Sequence, residues 1–415
     1  VHIAIVGSGI SGLAAAWLLG REHRVELFEA EGRPGGHAHT HEVTDTDGAW
    51  PIDTGFMVYN ERTYPHFVRM LAALGVETRP SDMSFSVRCR RCGLEYSSRG
   101  VRGLFAQPWR AGDPRHLRTL ADAVRFFRAG RRFLAGAVDE SLLLGGFIER
   151  EGLSDVFARH FLLPMGGAIW SASGADMRAF PAHAFLRFFD NHGLLAADEA
   201  PAWRTIVGGS RRYVDAMAAS SGAVVRLGEP VRQVRRTADG VEIATAAGTT
   251  RVDQVVVATH ADAALALLAD PSDAERTALG RVRYSTNRTL LHADETTLPL
   301  RAAARASWNC DVDDCRDESA PASLTYDVSR LQGIGRTSRY CVTLNGRRRP
   351  LGAVHAAIDY THPVMDAGAF RSQREISTMN GANRTWFAGA WLRYGFHEDG
   401  VVSAVRVAER LGVRW

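Results

Sequence analysis

The sequence contains no lysine: all 50 of its basic residues are arginine. That absence excludes Schiff-base chemistry, a Walker-A phosphate loop and any lysine general base. Long apolar runs are missing too, and no stretch approaches the about 18 uninterrupted apolar residues of a membrane-spanning helix. There is no internal repeat and no low-complexity linker. Cysteine is scarce, at five residues. The odd count, and a first segment that enters a core strand directly and so leaves no room for a signal peptide, predict reduced thiols and a cytoplasmic location. Cys89-Arg90-Arg91-Cys92-Gly93 is a C-x-x-C turn. Zinc, however, asks for four ligands, and no second close pair exists, Cys310 and Cys315 being separated by four residues. The turn reads as a hairpin with incidental cysteines, and no metal is expected.

A length of 415 residues exceeds what one core supports, so two domains are expected. The chain is 46% hydrophobic and 23% charged, ordinary for a globular protein. Its net charge of +4 is mildly basic and calls for no nucleic-acid partner. The organising stretch is the first forty residues. Ile3-Ala4-Ile5-Val6 is a short apolar run without alternation, as suits a strand buried on both faces. Gly7-Ser8-Gly9-Ile10-Ser11-Gly12 then gives G-x-G-x-x-G, Leu13 to Leu19 reads as a helix, and Arg24 to Phe28 as a second strand closed by Glu29. Gly7 lets the chain turn sharply, Gly9 clears space for a pyrophosphate, and Gly12 lets the helix sit close on the strand. The helix N-terminus aims free N–H groups and a positive dipole end at the phosphates. Glu29 lies 22 residues beyond Gly7, where an acid takes a ribose hydroxyl. Together these features spell a dinucleotide site.

Glu29-Ala30-Glu31-Gly32-Arg33-Pro34-Gly35-Gly36 follows at once. Here the chain resembles the flavin amine oxidase and phytoene desaturase superfamily, whose N-terminal βαβ unit runs into an E-x-x-x-R-x-G-G segment. An NAD-using Rossmann enzyme is the alternative. The resemblance implies a Rossmann-type α/β FAD-binding domain, glutathione reductase/amine oxidase-like, with an inserted mixed α+β substrate domain. It implies FAD contacts from Gly7, Gly9, Ile10, Ser11 and Gly12, and from Glu29, Ala30, Arg33, Gly35, Gly36 and His37. Further contacts fall on Gly55 and Phe56 after Asp53-Thr54, and on Val231, where family members hold adenine by backbone contacts. The remaining ones fall on Ala258, Thr259, Gly389, Ala390, Glu398, Asp399, Gly400 and Val401. The last helix would point its N-terminus at the flavin N1/C2 edge and stabilise the anionic reduced ring. Family members often carry an acid directly after the strand glycine; Ala390 stands there, and Glu398 or Asp399 is the available replacement. On these boundaries, residues 1–80, 204–265 and 376–415 form the FAD domain, and 81–203 and 266–375 the substrate domain.

Between these blocks the pattern is mixed. His37, His39 and His41 recur at period two and would share one face of a strand. A metal site is the sharper reading, and polar residues beside the cofactor the plainer one taken here. Pro65 opens a helix with Phe67, Met70, Leu71 and Leu74 as its apolar stripe. Ser84–Val87 and Leu94–Ser97 read as a hairpin, and His116–Leu134 as a basic amphipathic helix whose apolar face is Leu117, Leu120, Ala121, Val124 and Phe127. Such a helix can lie on an anionic membrane surface, possible at the inner face, or simply be a solvated surface helix. Phe185–Phe189 with Asp190 and His192 could edge a long apolar pocket. Thr289–Ala293, Ser323–Val328 and Ser338–Leu344 have strand composition, and the last helix is expected over Val401–Leu411.

Segments GGHAHT, DTGFMVYN, FLRFFDNHGLL, WRTIVGGSRRYV, YCVTLN, RTWFAGA and YGFHEDG further resemble a bacterial subgroup of amine-oxidase-like FAD proteins, some similar to desaturases of fatty acyl chains. The resemblance implies an FAD-dependent dehydrogenase or desaturase that passes hydride from a small, lipophilic, acyl-like substrate to flavin N5, with the electron acceptor open. Oxidation of an amine C–N bond and redox-neutral isomerisation are the alternatives. Amine oxidases proper use a lysine near N5, which this chain lacks. No cysteine follows Cys341, so a C-terminal cysteinyl-flavin link is absent and noncovalent FAD is expected. A redox disulfide at Cys89/Cys92 would have to lie beside the flavin ring. His397 and Tyr394, then Asp190 and His192, are the candidate catalytic groups.

Overall fold

The computed structural model describes residues 1–137, 139–196, 201–335 and 337–415. A five-stranded parallel sheet forms one layer, in the order Val224–Arg226, Arg24–Phe28, His2–Val6, Gln254–Val257, Thr385–Phe387. Its central strands are apolar on both faces because both faces are covered, which is why Ile3, Ala4 and Ile5 are fully buried. The helices Ile10–Leu19 and His397–Arg410 pack together on one face with the helix Arg211–Ser220. An antiparallel meander, Gln233–Thr237, Gly240–Thr245 and Gly248–Val252, closes the other. This is the Rossmann-type α/β arrangement. Its strands come from three separated parts of the chain.

The second layer is a seven-stranded mixed sheet ordered Val354–Pro363, Tyr284–His292, Cys341–Leu344, Ser323–Asp327, Trp308–Val312, Phe85–Cys89, Leu94–Ser97. Every neighbouring pair is antiparallel except Trp308–Val312 with Phe85–Cys89. Two of these strands escape the sequence reading. Trp308–Val312 reads WNCDV and carries too many polar residues to look like a buried strand. Val354–Pro363 alternates between half-buried and exposed positions, as an edge strand does, and ends at a proline, which is where proline is tolerated in a sheet.

A helical lobe leans on this sheet. Its longest member, Pro114–Ala135, is amphipathic, but not on the face expected. Leu117 is 44% and Val124 47% exposed, whereas Thr119, Asp122, Phe126, Ala129 and Phe133 are buried. Two contacts rotate the helix. Asp122 faces inward because Arg118, Arg125 and Ser154 all bind its carboxylate, at 2.9, 2.6 and 2.5 Å. Phe126 enters an aromatic cluster with Phe147, Phe157 and Phe189. Among the described residues no helix is long and apolar enough to cross a membrane.

Other local differences have simple causes. The last helix begins at His397 rather than Val401. The Asp399 carboxylate accepts from the Phe396 N–H at 2.9 Å, so the chain closes into helix four residues early. Of the three period-two histidines, His39 and His41 do lie together, their ring centroids 4.0 Å apart, but the left-handed Gly35 and Gly36 (φ +111° and +56°) send His37 elsewhere. The C-x-x-C turn does join a hairpin, but His160 and Cys315 come to it from distant segments. Replacing Phe126, fully buried at the centre of the lobe, by Ala should cost about 3–5 kcal/mol. A denaturant midpoint unchanged from wild type would show that this ring carries no packing.

Candidate active site

The first strand ends at Gly7 (φ +97°), and the helix Ile10–Leu19 starts three residues on. A Cβ on Gly12 would stand 1.8 Å from the Gly7 carbonyl oxygen, so only glycine allows the helix to return over its own strand. Gly9 is the opposite case: a Cβ there would meet nothing within 4 Å. Gly36 closes the same space from the other side, its Cβ position 3.2 Å from the Gly9 Cα. Arg33 holds that turn by donating two 3.1 Å bonds to the Gly36 carbonyl, and pairs with Glu31 at 3.0 Å. Glu29, at the tip of the second strand, accepts from the Ser8 N–H (2.8 Å) and hydroxyl (2.5 Å). The adjoining strand end brings Ala258, whose N–H donates to the Val6 carbonyl, and Thr259, whose carbonyl accepts from the Trp391 indole N–H at 3.2 Å. Val231 packs at the edge of the meander core, after the second and outer strands.

The C-terminal helix meets this loop end to end. A Cβ on Gly400 would lie 2.6 Å from the Ile10 side chain and 2.9 Å from the Ser11 hydroxyl. Two helix N-termini, each with unpaired N–H groups and a positive dipole end, therefore flank one space. Gly389 leads into it from the last strand, held by the Ser403 hydroxyl at 2.9 Å, with Ala390 beginning the turn that follows. Val401 is fully buried beneath. The two acids are committed elsewhere. Glu398 accepts from the His66 N–H (3.1 Å), its ring Nδ1 (2.7 Å) and the Phe67 N–H (2.9 Å), so it caps the helix Pro65–Ala73. Asp399 binds the Tyr394 and Phe396 N–H groups at 3.2 and 2.9 Å, and burial pushes its carboxyl up to about 6. Neither carboxylate takes the place of the acid missing at Ala390; their backbone amides at the helix start are what faces the space.

Rings line the next stretch. Gly55 approaches the His37 carbonyl so closely that a Cβ would be 2.1 Å away, and the Phe56 N–H donates to that carbonyl at 2.9 Å. Phe56 stacks on His397 at 3.7 Å with the planes 10° apart. His397 is buried, bonded through Nε2 to the Tyr213 hydroxyl at 2.8 Å, and burial depresses its pKa to about 3. Of the expected catalytic groups it is the most enclosed. His37 stacks against Tyr360 at 4.9 Å and lies near His362 (5.3 Å) and His260 (6.2 Å). Its Nε2 is sealed from solvent with no hydrogen-bond partner among the described residues. Burial and the neighbouring imidazoles hold its pKa well below the ordinary 6.5, and burial takes His362 to about 4. Tyr360, His362 and His260 were missed in the sequence. The cue was Y-x-H at period two in the strand Val354–Pro363, which puts both rings on one face.

Tyr394 and His192 are brought together through Phe188. The His192 ring stacks on Phe188 at 3.9 Å, which lies 5.0 Å from Phe396 and 5.8 Å from Tyr394. His192 Nδ1 lies 2.8 Å from the Phe188 carbonyl oxygen, which can only accept, so Nδ1 carries the proton and Nε2 the lone pair. Burial lowers its pKa to about 4. Asp190 is not in this cluster; its carbonyl faces Arg62 at 3.5 Å. Beyond Tyr394, whose carbonyl accepts from the Trp170 indole at 3.2 Å, a cavity of about 250 Å³ is lined by Trp170, Met177, Phe180, Asn287, Pro363 and Met365 among others. A larger surface depression of about 560 Å³ around Pro51, Leu74, Gly208 and Arg212 shares none of these rings. Beneath the glycine turns, Asp53 is buried and binds Thr40 (2.6 Å), the Ser210 hydroxyl (2.7 Å) and Gln332 (3.1 Å), with its pKa raised by burial to about 6.

The open space over Gly9, the two converging helix ends and the orphaned His37 nitrogen fit a dinucleotide carrying a heteroaromatic ring. The comparisons agree. The sequence model for flavin containing amine oxidoreductases matches residues 10–302. An L-amino-acid oxidase of Daboia russelii is 56% identical over 41 residues, a match that spans 10% of this chain and 8% of that relative's length. Among solved structures, a CLA-producing fatty acid isomerase from P. acnes superposes with a TM-score of 0.71 at 16% identity, covering 98% of each chain. Cyclohexylamine oxidase from Brevibacterium oxydans superposes at 0.69 and 17% identity, covering 99% of each. At such identities the likeness is one of fold.

Replacing Gly400 by Val should force the two helix ends apart and abolish flavin binding, read as the flavin-to-protein absorbance ratio; a full complement of flavin would refute the close-approach argument. A pH effect follows as well. His37, His192, His292, His362 and His397 all have folded pKa values below 6.5, the printed ones about 3 to 4. Between about 6.5 and 4 the unfolded chain takes up more protons at these rings, so stability falls with pH. Asp53 and Asp399, raised to about 6, act oppositely: their stabilising effect is complete below their ordinary 3.8 and is lost as pH rises through about 6. The five imidazoles outweigh the two carboxyls, and the melting temperature should drop from pH 7 to pH 5. A rise over that interval would reverse the assignment.

Proposed function

Since the chain belongs to the flavin-containing amine oxidoreductase family and uses a flavin cofactor, typically FAD, we propose that it is an FAD-dependent dehydrogenase of an apolar, acyl-like substrate. The observation that carries this reading is the chemistry of the walls around Tyr394. Aromatic and thioether groups (Trp170, Phe180, Met177, Met365) form one part of them beside a polar part that includes Ser285 and Asn287, and the carboxylates are engaged: Asp399 by backbone N–H groups, Asp176 by Ser173, Asp366 by Arg283 at 2.8 Å. A protonated amine asks for a free anion or a desolvated partner, whereas a hydrocarbon chain asks for Trp170, Phe188, Met177 and Met365. The chain's own lack of lysine points the same way, by removing the amine-oxidase proton relay.

Bound flavin supplies the redox chemistry, accepting a hydride from a substrate C–H bond. The protein's part is placement and proton transfer. The cavity beside Trp170 and Phe180 takes the chain. Phe188 and Phe396 press it toward the turn at Tyr394–Phe396. His192 Nε2, the unprotonated ring nitrogen, takes the proton lost from the adjacent carbon. His397, tied to Tyr213 and stacked on Phe56, is a positioning residue that keeps the start of the last helix rigid. The two helix ends hold the cofactor's phosphate charge, and Arg33 keeps the Gly36 turn in place beside them. The exposed Leu117 and Val124 on an arginine-rich helix offer a place for contact with an anionic lipid surface.

Anaerobic addition of long-chain acyl substrates to the flavin-loaded protein should bleach the flavin. His192→Ala should slow that bleaching at least about tenfold while leaving flavin content intact. Bleaching by simple amines and not by acyl chains would replace this reading with amine oxidation. Product formed without bleaching would replace it with isomerisation, the reaction named for the P. acnes relative of the fold.

A further inference from the structure

Four metal-binding side chains that the active site does not use converge on one point. Cys89 ends the strand Phe85–Cys89, Cys92 lies in the turn that follows, Cys315 in the loop beyond strand Trp308–Val312, and His160 on the helical turn Ala158–Leu162. One donor atom from each, three thiol sulfurs and one imidazole nitrogen, lies within 4.8 Å of all the others. We propose that Cys89, Cys92, His160 and Cys315 form a closed, structural Zn²⁺ site.

The geometry suits the ion. With Zn–S near 2.3 Å and Zn–N near 2.0 Å, the edges of the tetrahedron are about 3.5–3.8 Å. Cys92 Sγ and His160 Nε2 already stand 3.4 Å apart. The donor set, three soft thiolates and an imidazole, selects zinc over magnesium or calcium. Four protein ligands leave no open position, which marks a site that holds structure rather than substrate. Metal binding displaces the thiol protons and involves no change of oxidation state.

The surrounding fold is arranged to bring these groups together. Strands Trp308–Val312 and Phe85–Cys89 run parallel with Val312 opposite Cys89. The ladder then continues past both strands, the Arg90 N–H donating to the Val312 carbonyl and the Arg91 N–H to the Asp313 carbonyl. This lays the Cys315 loop along the Cys89–Cys92 turn. Gly93, with φ +67°, lets the turn fold back tightly. His160 sits on a π-helical turn, an irregularity that recurs at functional positions. Its carbonyl is fixed by the Tyr96 hydroxyl at 2.8 Å. A zinc with three thiolates carries net charge −1, and Arg110 reaches the cluster by donating to the Cys92 carbonyl at 2.9 Å, while Arg90 and Arg91 within the turn pair with Asp311 and Asp314. The clamp ties the helical lobe to one edge of the seven-stranded sheet. Tyr360 and His362 stand on the strand at the opposite edge, so the metal lies away from the cofactor's rings.

Elemental analysis of the purified, unchelated protein should give one zinc per chain. His160→Ala and Cys315→Ser should each lose most of it while flavin content is kept, and should melt at lower temperature than wild type. Exchange of zinc for cobalt in wild-type protein should give the intense visible bands and thiolate charge transfer of a tetrahedral site; this readout holds even if a variant fails to fold. Five thiols should be countable after unfolding with a chelator. Wild-type protein without zinc, a count of three thiols (a disulfide within the cluster), or zinc retained in both variants would each overturn the site.

Discussion

Everything at the cofactor end depends on how closely two helices can approach. The helix Ile10–Leu19 returns over its own strand because Gly12 has no side chain, and the helix His397–Arg410 abuts it because Gly400 has none. Each contact removes a Cβ that would sit within van der Waals overlap of backbone or side chain. The consequence is electrostatic. Two helix N-termini converge on one volume, and their unpaired N–H groups favour negative charge there without a single ionised side chain. In a chain with no lysine this matters, because the remaining cation at the turn, Arg33, spends its guanidinium on the Gly36 carbonyl and Glu31.

The same economy of charge governs the substrate side. Imidazoles are numerous there, yet desolvation keeps His37, His192, His362 and His397 neutral at ordinary pH. The buried acids lean toward their neutral forms or are locked to backbone N–H groups. On the proposed reading, the neutral rings suit removal of hydride from a nonpolar bond, where the developing charge is handled by the cofactor and the helix ends rather than by a side-chain ion.

The legible parts of the sequence were those where function constrains neighbouring residues. The strand–glycine loop–helix unit, the acid at position 29 and the paired glycines at 35 and 36 lie within one short stretch and announce their geometry by spacing alone. Packing direction was harder. The sequence of the basic helix marks Leu117, Leu120, Ala121, Val124 and Phe127 as one apolar face, but in the fold a buried aspartate with two arginines takes the interior in place of Leu117 and Val124. Glu398 and Asp399 were legible as acids near a helix start, yet which donors they satisfy depends on His66 and on a turn closing before the helix, neither visible in a window of sequence. Rings brought in by the strand Val354–Pro363 were invisible for a related reason: an edge strand with half-exposed residues lacks the apolar signature of a core strand.

The metal cluster carries this point furthest. Two cysteines three apart were obvious, and a second close pair was what the usual zinc pattern required. The fold supplies the other two ligands by different means: strand register delivers Cys315, and a π-helical turn delivers His160. That division explains why the seven-stranded sheet can serve two purposes. At one edge its last strand presents Tyr360 and His362 to the cofactor loop. At the other, the proposed clamp anchors the lobe whose Trp170 and Phe180 wall the cavity. On the proposed reading, a lobe held at its far end fixes the aromatic wall relative to the sheet, and with it the distance between a bound chain and the turn at Tyr394, before any substrate arrives.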